Sequence, residues 1–358
     1  MNILFVYYYP SGGVETLARQ RSLALKPYGI KFHFLYYAKG PGLQNIKREK
    51  TFITHSDEEI RQILTEGNYA AIIVCSDHLF TKKARDFGYK GVILYEVQGL
   101  GSYQQADNWL QSAQTTIRSN ADALLYPKTP HLIQLIDKYY PDMKKFSFPN
   151  CIATKIFKYK PNTKHPQPII GWVGRIEKNK NWEAFLEIGA RLLSLNPKLE
   201  LWMFEDDSFS AASERTHFAK KVEELQLTDK LKIYKNLPHK QMPYYYSQIG
   251  HSGGFLCSTS RVEGFGYAVL EAMSCRCPVL CSNSDGILNI VTHNFSGKIF
   301  PQDDLDTAVM EARELLSNSA ERTRLSQTAL NQIQLHFTPS QYAAHFLDML
   351  KDLHVNNP

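Results

Sequence analysis

Short strand-like segments alternate with helix-like segments along almost the whole of this 358-residue chain. Strand-length runs of apolar or β-branched residues occur in the first half at 2–8, 30–37, 70–75, 92–97 and 123–126. Residues 14–24, by contrast, carry apolar side chains at helical spacing. Strands that alternate with helices form parallel sheets, because parallel neighbours need a long crossover connection. The pattern therefore predicts an α/β fold built on parallel sheets.

One stretch breaks the alternation and divides the chain into two halves. Residues 150–168 contain three prolines among lysines and show no periodicity, which is typical of an interdomain linker. A strand-like run at 169–173 then restarts the pattern. Two domains are predicted with these boundaries: residues 1–160, with a terminal helix in 340–358 packing back on them, and residues 165–338.

Open α/β sheets bind ligands beyond the carboxyl ends of their strands. Two such domains with facing sheets would hold the ligand in a central cleft, since pockets concentrate between domains. The residues that follow the predicted strands are therefore the candidates for a functional site.

Two glutamates eight residues apart mark the strongest candidate. Glu263 and Glu271 flank a glycine-bracketed turn at 264–266, which opens at Tyr267 into an apolar helical run. The helix is apolar nearly all round and should be buried, so the Glu271 carboxylate needs hydrogen-bond donors. A polyhydroxylated ligand would supply them. The peptide N–H groups at the helix start favour an anion such as phosphate.

Two cations follow the first predicted strand of the second half. Arg175 comes directly after the strand, and Lys180 lies five residues further on, just before a predicted helix. A guanidinium fork and an ammonium point charge at such a junction are suited to neutralising a diphosphate leaving group. Lys178 in the same turn is interpreted as solvent-exposed.

Gly12 and Gly13 follow the first strand of the chain. Glycines at this place let the backbone approach a ligand closely, at a helix N-terminus suited to phosphate. The sequence is not the G-x-G-x-x-G pattern, so a nicotinamide or flavin fingerprint is absent. A plain tight turn is the alternative.

Composition excludes several classes of protein. No apolar run approaches the ~20 residues that span a bilayer, and the first strand lacks the basic lead-in of a signal peptide, so we expect a cytoplasmic protein. The net charge of +6 is concentrated in the first 160 residues. This favours an anionic acceptor or peripheral contact with the inner face of a membrane, with an ordinary solvated surface as the alternative. No nucleic-acid reader motif is present, so nucleic-acid binding is not expected.

These motifs together resemble the retaining nucleotide-sugar glycosyltransferases of the GT-B type, specifically family 4, which have two Rossmann-like domains with parallel sheets facing a central cleft. The resemblance covers nearly the whole chain, and the glutamate pair with its internal glycines is its most specific part. In chain order the matching segments are Gly12-Gly13, Gly174-Arg175 with Lys180, Glu263 with Glu271, Cys277-Pro278-Val279-Leu280 and Asn294-Phe295-Ser296-Gly297-Lys298.

The resemblance implies a role for each candidate residue. Glu271 would hold the ribose hydroxyls of the nucleotide, and Glu263 would face the donor-sugar hydroxyls. Arg175 and Lys180 would bind the diphosphate and stabilise it as it leaves. The remaining contacts to sugar and phosphate would come from these positions: Gly12, Gly13, Gly264, Phe265, Gly266 and Tyr267.

Gln98 stands where this family usually has a histidine near the sugar. A glutamine can hydrogen-bond a sugar hydroxyl but cannot titrate. The family acts without a bound metal, because two basic side chains, here Arg175 and Lys180, neutralise the diphosphate. The resemblance therefore implies no metal or other cofactor. The six cysteines agree, because Cys275 and Cys277 form C-x-C without the paired C-x-x-C knuckles of zinc sites.

The function that the resemblance implies is transfer of a hexose, glucose-like and UDP-linked by the family's preferences, with retention of anomeric configuration. The acceptor would be a hydroxyl of a saccharide or lipid-linked saccharide in polysaccharide or cell-surface glycan synthesis. A nucleotide-sugar epimerase or hydrolase remains an alternative, as does a catalytically silent sugar-nucleotide-binding protein. His78, at another strand end, is interpreted as structural or acceptor-side.

Overall fold

The computed structural model describes residues 1–161, 165–208 and 210–355. The chain divides into two compact units, Met1–Ala153 with Phe337–Pro358, and Thr154–His336. The chain passes from the first unit to the second at 153/154, within the predicted linker, and returns at 336/337. Of the predicted segments, residues 162–164 of the linker and 356–358 of the terminal segment lie outside the described residues.

The first unit is a parallel sheet with helices on both faces. Its elements, in chain order, are β1 (Asn2–Tyr7), α1 (Gly12–Leu25), a 3-10 turn (Lys26–Tyr28), β2 (Lys31–Tyr36), a second 3-10 turn (Pro41–Asn45), β3 (Lys50–Ile53), α2 (Asp57–Glu66), β4 (Tyr69–Cys75), α3 (His78–Asp86), β5 (Val92–Glu96), α4 (Tyr103–Asn120), β6 (Ala123–Tyr126), α5 (Pro130–Tyr139) and β7 (Lys144–Ser147). The described strands lie in the order β3-β2-β1-β4-β5-β6-β7, all parallel. The order reverses between β1 and β4, which is the switch point of this sheet.

Both faces of the central strand β1 are buried. Ile3 and Phe5 pack into a core that includes residues of α1, while Leu4 and Val6 pack into a second core that includes residues of α2 and α3. Because successive strand residues point to opposite faces, a continuous apolar run is what a strand between two helical layers requires.

The last helix of the chain, α13 (Pro339–Asp352), belongs to the first unit. Its apolar stripe of Tyr342, Phe346 and Met349 is buried in the same core as Phe5. The helix starts with a capping box, in which the Thr338 side chain accepts from the backbone N–H of residue 341.

The second unit repeats the parallel arrangement. Its elements are β8 (Ile169–Gly174), a 3-10 turn (Lys178–Lys180), α6 (Trp182–Leu195), β9 (Glu200–Glu205), α7 (Ala212–Glu224), β10 (Leu231–Lys235), a 3-10 turn (His239–Gln241), α8 (Met242–His251), β11 (Phe255–Ser258), α9 (Tyr267–Ser274), β12 (Val279–Ser282), α10 (Asp285–Leu288), β13 (Lys298–Phe300), α11 (Leu305–Ser317) and α12 (Ser319–His336). The described strands lie in the order β10-β9-β8-β11-β12-β13. The switch point is between β8 and β11, so the loops after these two strands share one edge of the sheet.

Candidate active site

The loops that follow β8 and β11 are tied together by hydrogen bonds. The Asn179 side chain accepts from the Val262 N–H at 3.1 Å and donates to the Val262 carbonyl at 3.0 Å. The Thr259 hydroxyl donates to the Lys180 carbonyl at 2.9 Å and accepts from the Trp172 indole N–H at 3.1 Å. These bonds fix the loop that carries the cations against the loop that carries Glu263.

Lys180 and Glu263 meet at this edge. The Lys180 ammonium lies 2.5 Å from Glu263 Oε1, and the Ser260 hydroxyl donates to the same oxygen at 2.7 Å. The two side chains are 21% and 16% exposed, so the pair is open to a ligand without being fully solvated. An ammonium has three donors, so Lys180 can keep Glu263 and still bind a phosphate oxygen.

Arg175 is close to these residues in sequence but has a different partner. Its guanidinium lies 3.2 Å from Glu177 Oε1, and among the described residues it forms no ion pair with Glu263 or Glu271. The side chain is 31% exposed. A guanidinium has five N–H donors, so the single contact with Glu177 leaves most of them for an anion.

The glycine turn before α9 is held in a shape that only glycine adopts readily. Gly266 is the N-cap of α9 and has φ +84°. A Cβ atom at this position would lie 2.6 Å from Ile287 Cδ1. Gly286 is a second glycine at which a side chain would not fit, and the sequence did not indicate it. Its N–H donates to the Glu263 carbonyl, and a Cβ atom at this position would lie 2.4 Å from that carbonyl oxygen. Phe265 and Tyr267 are buried, with their rings 5.0 Å apart.

We expect Gly266→Ala to destabilise the second unit by about 1–2 kcal/mol for the left-handed backbone and a further ~1–3 kcal/mol for overpacking against Ile287. Gly253→Ala is the matched control, since Gly253 has φ +87° but a Cβ would come no closer than 3.5 Å to Arg322. Amide exchange of α9 peptides measures the difference. Equal losses in both variants would show that the contact with Ile287 is unimportant.

The Glu271 carboxylate is buried, and the protein itself supplies its hydrogen-bond donors. His239 Nε2 lies 2.7 Å from Oε1, and the Tyr246 hydroxyl donates to Oε2 at 3.1 Å. Burial, followed by the negative charge of Glu271, raises the pKa of Tyr246 well above its ordinary value, so Tyr246 remains a donor. From the sequence, a polyhydroxylated ligand was expected to supply these donors. Because each carboxylate oxygen has two acceptor sites, both oxygens can also accept from a ligand hydroxyl.

The other three predicted binding residues belong to the first unit. Gly12 and Gly13 begin α1, where Gly12 has φ +62° and a Cβ atom added to it would meet no other atom within 4 Å. Gln98 follows β5 and is held at both ends of its amide. Its Nε2 donates to Glu96 at 2.8 Å, and its Oε1 accepts from the Asn150 side chain at 2.7 Å.

Three further features of the described residues concern metal binding, membrane crossing and the cysteines. No group of three or more His, Cys, Asp or Glu side chains is arranged there to hold a metal ion. No helix in the same part of the chain is long and apolar enough to cross a membrane. The six cysteines are all buried and form no disulfides within the described residues, and burial raises the pKa of Cys275 and Cys277 well above the usual thiol value.

Comparison with known proteins identifies relatives of both the sequence and the fold. The family described as glycosyl transferases group 1 matches residues 154–332, half of the chain. A D-inositol 3-phosphate glycosyltransferase of Kribbella flavida is 22% identical over 170 residues, 46% of this chain and 39% of that protein. A probable sucrose-phosphate synthase of Thermosipho melanesiensis is 24% identical over 225 residues, 61% of this chain and 50% of that protein. The matches thus span half or less of these relatives' lengths.

Solved structures match the chain over almost its whole length. The sucrose-phosphate synthase of Thermosynechococcus elongatus superposes with a TM-score of 0.83 at 18% identity, covering 99% of both chains. Anabaena HepE in complex with UDP-glucose superposes with a TM-score of 0.83 at 14% identity, covering 98% of this chain and 100% of that one. At such identities the likeness establishes the fold, and the predicted α/β architecture of GT-B type, with two parallel sheets, is confirmed.

Proposed function

Since the chain belongs to the glycosyl transferases group 1 family, we propose that it is a glycosyltransferase that moves a glucose-like hexose from a UDP-linked donor to a hydroxyl of a saccharide or lipid-linked saccharide, with retention of configuration. The observation that carries this proposal is the Lys180–Glu263 pair at the switch point of the second unit, beside the glycine turn. Synthesis of a polysaccharide or cell-surface glycan is the context we propose.

The diphosphate is assigned to Lys180 and Arg175. Their positive charges lie on the loop after β8, at the sheet edge where open α/β sheets bind ligands. Charge develops on the leaving diphosphate as the glycosidic bond breaks, and preorganised cations stabilise it most at that moment. In this proposal the two side chains take the place of a metal ion.

The donor sugar is assigned to Glu263 and to the backbone N–H groups from Gly264 to Tyr267. The Glu263 carboxylate is held by Lys180 and Ser260 on one oxygen, which leaves Oε2 as an acceptor for sugar hydroxyls. The positive end of the α9 dipole also favours the phosphate next to the sugar.

Retention of configuration needs no protein nucleophile in this proposal. The bond between the anomeric carbon and the diphosphate oxygen breaks, and the acceptor hydroxyl attacks from the same face. The departing diphosphate oxygen, held by Lys180 and Arg175, takes the proton of that hydroxyl. Lys180 donates to Glu263 Oε1, and this hydrogen bond makes that oxygen a weaker nucleophile. The contact therefore favours a reaction in which Glu263 does not attack the sugar and the diphosphate oxygen takes the proton.

The nucleotide is assigned to Glu271, whose carboxylate would accept from the two ribose hydroxyls. Its identity as UDP is supported by solved relatives of the same fold, among them Anabaena HepE with UDP-glucose and Staphylococcus aureus TarM with UDP. The latter superposes with a TM-score of 0.79.

Glu271→Gln should weaken UDP binding about 10- to 100-fold, because a hydrogen bond to a charged acceptor contributes about 1.5–3 kcal/mol. Calorimetry with UDP and 2′-deoxy-UDP isolates the ribose contact. The wild type should prefer UDP by about tenfold, and Glu271→Gln should lose most of that preference. Tyr246→Phe is the matched control, since it removes a protein donor to Glu271 and keeps the carboxylate. An undiminished preference for UDP in Glu271→Gln would contradict the ribose assignment.

The test of the function as a whole is release of nucleoside diphosphate from a panel of nucleotide sugars, with and without saccharide acceptors. Acceptor-dependent release from a UDP-hexose, together with a product of unchanged anomeric configuration, is the expected result. Free sugar or an isomer formed without acceptor would instead indicate a hydrolase or epimerase. Binding of UDP with no turnover of any donor would indicate a catalytically silent protein.

A further inference from the structure

The switch point of the first unit carries a polar and aromatic cluster that the proposed donor site does not use. Tyr8 follows β1, and Ser76, Asp77 and His78 follow β4, the neighbouring strand. The Tyr8 hydroxyl donates to the Ser76 carbonyl at 3.3 Å, which joins the two strand ends. Ser76 has φ +64°, a backbone conformation that is costly for a residue other than glycine. Residues in such conformations occur most often at functional sites.

The His78 imidazole lies at the start of α3 and is only partly satisfied by hydrogen bonds among the described residues. Nδ1 is buried and has no hydrogen-bond partner within the described residues, while the side chain as a whole is only half-buried. The ring packs edge-on against Trp109, with 5.3 Å between centroids. The Trp109 indole N–H donates in turn to the Tyr95 hydroxyl at 3.1 Å, and this hydrogen bond fixes the orientation of the indole against which the imidazole packs.

The burial of Nδ1 decides which form of His78 is present. A proton on Nδ1 would be a buried donor without an acceptor, which is costly, whereas the neutral ring protonated on Nε2 avoids that cost. Burial lowers the pKa of His78, and the nearby Asp77 opposes it without reversing the direction. The ring is therefore neutral at pH 7 and presents Nε2–H as a donor, which matches the oxygen of an uncharged hydroxyl.

The charge next to His78 is negative. Asp77 accepts from the Tyr37 hydroxyl at 2.5 Å and from the Leu79 N–H at 3.1 Å, and it forms no ion pair with any cation in the described residues. The two lysines of α3 pair elsewhere, Lys82 with Asp86 and Lys83 with Asp57. An uncompensated carboxylate disfavours a phosphate or uronate at this edge.

The influence of Asp77 extends to Tyr8 at the end of the neighbouring strand. Burial, followed by the charge of Asp77, raises the pKa of Tyr8 to about 12, so its hydroxyl stays protonated. The Tyr8 and Tyr37 rings lie 6.0 Å apart. Amphipathic rings beside a few fixed polar groups are the usual lining of a small-molecule site.

We propose that this cluster is the acceptor subsite of the transferase and that it takes a neutral pyranose, with the Nε2–H of His78 donating to a sugar hydroxyl beside the rings of Trp109 and Tyr8. This proposal rests on the proposed function and specifies its acceptor. Asp77 selects against phosphorylated or acidic sugars, so at this subsite the proposal replaces the anionic acceptor that the net charge of the first 160 residues favoured. Of the two roles that the sequence leaves open for His78, structural or acceptor-side, the proposal takes the second.

The test is NMR titration of the full chain, saturated with UDP, against methyl α-glycosides of glucose, galactose, mannose and N-acetylglucosamine, with glucose 6-phosphate as the charged probe. At least one neutral glycoside should bind. His78→Phe keeps the ring without its N–H and should bind it about tenfold more weakly, as expected for one lost hydrogen bond. His78→Gln places an amide N–H where Nε2 lies and should stay within about threefold of the wild type. His55→Gln, at an exposed histidine of the same unit, should bind like the wild type.

Asp77→Asn tests the selection by charge, since asparagine caps a helix as well as aspartate does. The wild type should prefer the neutral glycoside over glucose 6-phosphate by about tenfold or more, and Asp77→Asn should narrow that preference at least threefold. Binding of none of the neutral glycosides, tighter binding of the phosphate, or wild-type affinity in His78→Phe would overturn the proposal. If the wild type binds no UDP, the proposed function itself fails; if UDP binds and glycosides do not, only the acceptor subsite fails.

Discussion

Replacing Lys180 with alanine is expected to lower the transfer rate by about 10²–10³-fold, the usual cost of removing one contact to a developing oxyanion. The Lys180 ammonium is held at the switch point of the second unit by Glu263, and its backbone is held by a hydrogen bond that ties the loops after β8 and β11. Arg175→Ala should lose at least a hundredfold, because the guanidinium neutralises the other part of the same leaving group. Released UDP, measured with donor and acceptor in excess, gives both rates.

The pattern of the kinetic constants separates leaving-group stabilisation from simple loss of binding. If Lys180 acts on charge that develops in the transition state, kcat falls much more than the affinity for UDP. Lys178→Ala is the matched control, because Lys178 is an exposed cation in the same 3-10 turn and should retain a rate within about twofold of the wild type. Nearly normal kcat in both Lys180→Ala and Arg175→Ala would remove the assignment.

The repeated alternation of strands and helices was predictable because buried parallel strands need continuous apolar runs. The two strands that the sequence pattern did not predict in the first unit are its edges, β3 and β7. β3 begins with Lys50, and β7 begins with Lys144 and Lys145, and neither contains a fully buried residue. Short lysine-bearing strands are how proteins protect a sheet edge, and that protection removes the apolar signal on which the prediction depends.

The candidate site was predictable only where its chemistry is local in sequence. Glu263, Glu271, Arg175 and Lys180 stand at strand ends and around a glycine turn, so spacing alone indicated them. The partners of Glu271 are distant, since Tyr246 lies 25 residues and His239 32 residues away. A carboxylate in an apolar helix indicates that hydrogen-bond donors must lie nearby. The sequence does not reveal whether a ligand or the fold supplies those donors.

Gln98 shows the same limit in the first unit. Sequence places it at a strand end, where a sugar contact is a reasonable expectation. The structure shows that its amide is oriented by Glu96 and Asn150. The sequence carries one signal for the contact between Gln98 and Glu96, namely that Glu96 of β5 and Arg21 of α1 are charged residues inside apolar runs. Two buried charges of opposite sign must pair with each other, so Glu96 is expected to be buried beside Gln98.

Breaking the buried pair of Arg21 and Glu96 is expected to destabilise the first unit by about 3–5 kcal/mol, because the remaining charge stays buried without compensation. Both side chains are fully buried, and two guanidinium nitrogens donate to the two carboxylate oxygens. The Arg21 Nε also donates to the Tyr342 hydroxyl of α13 at 2.6 Å. Burial alone would lower the pKa of Arg21, but attraction to Glu96 outweighs it and raises the pKa, so the guanidinium stays charged.

Glu96→Gln and Arg21→Met are the variants that break the pair, and amide exchange of β1 and β5 peptides in the full chain measures the loss. The double variant, Arg21→Met with Glu96→Leu, should be less destabilised than either single one, since no unpaired charge remains. Asp86→Asn is the control: it breaks an ion pair with Lys82 whose side chains are 60% and 55% exposed. That change should cost less than about 1 kcal/mol. Equal effects of Glu96→Gln and Asp86→Asn would show that the buried pair does not hold α1, β5 and α13 together.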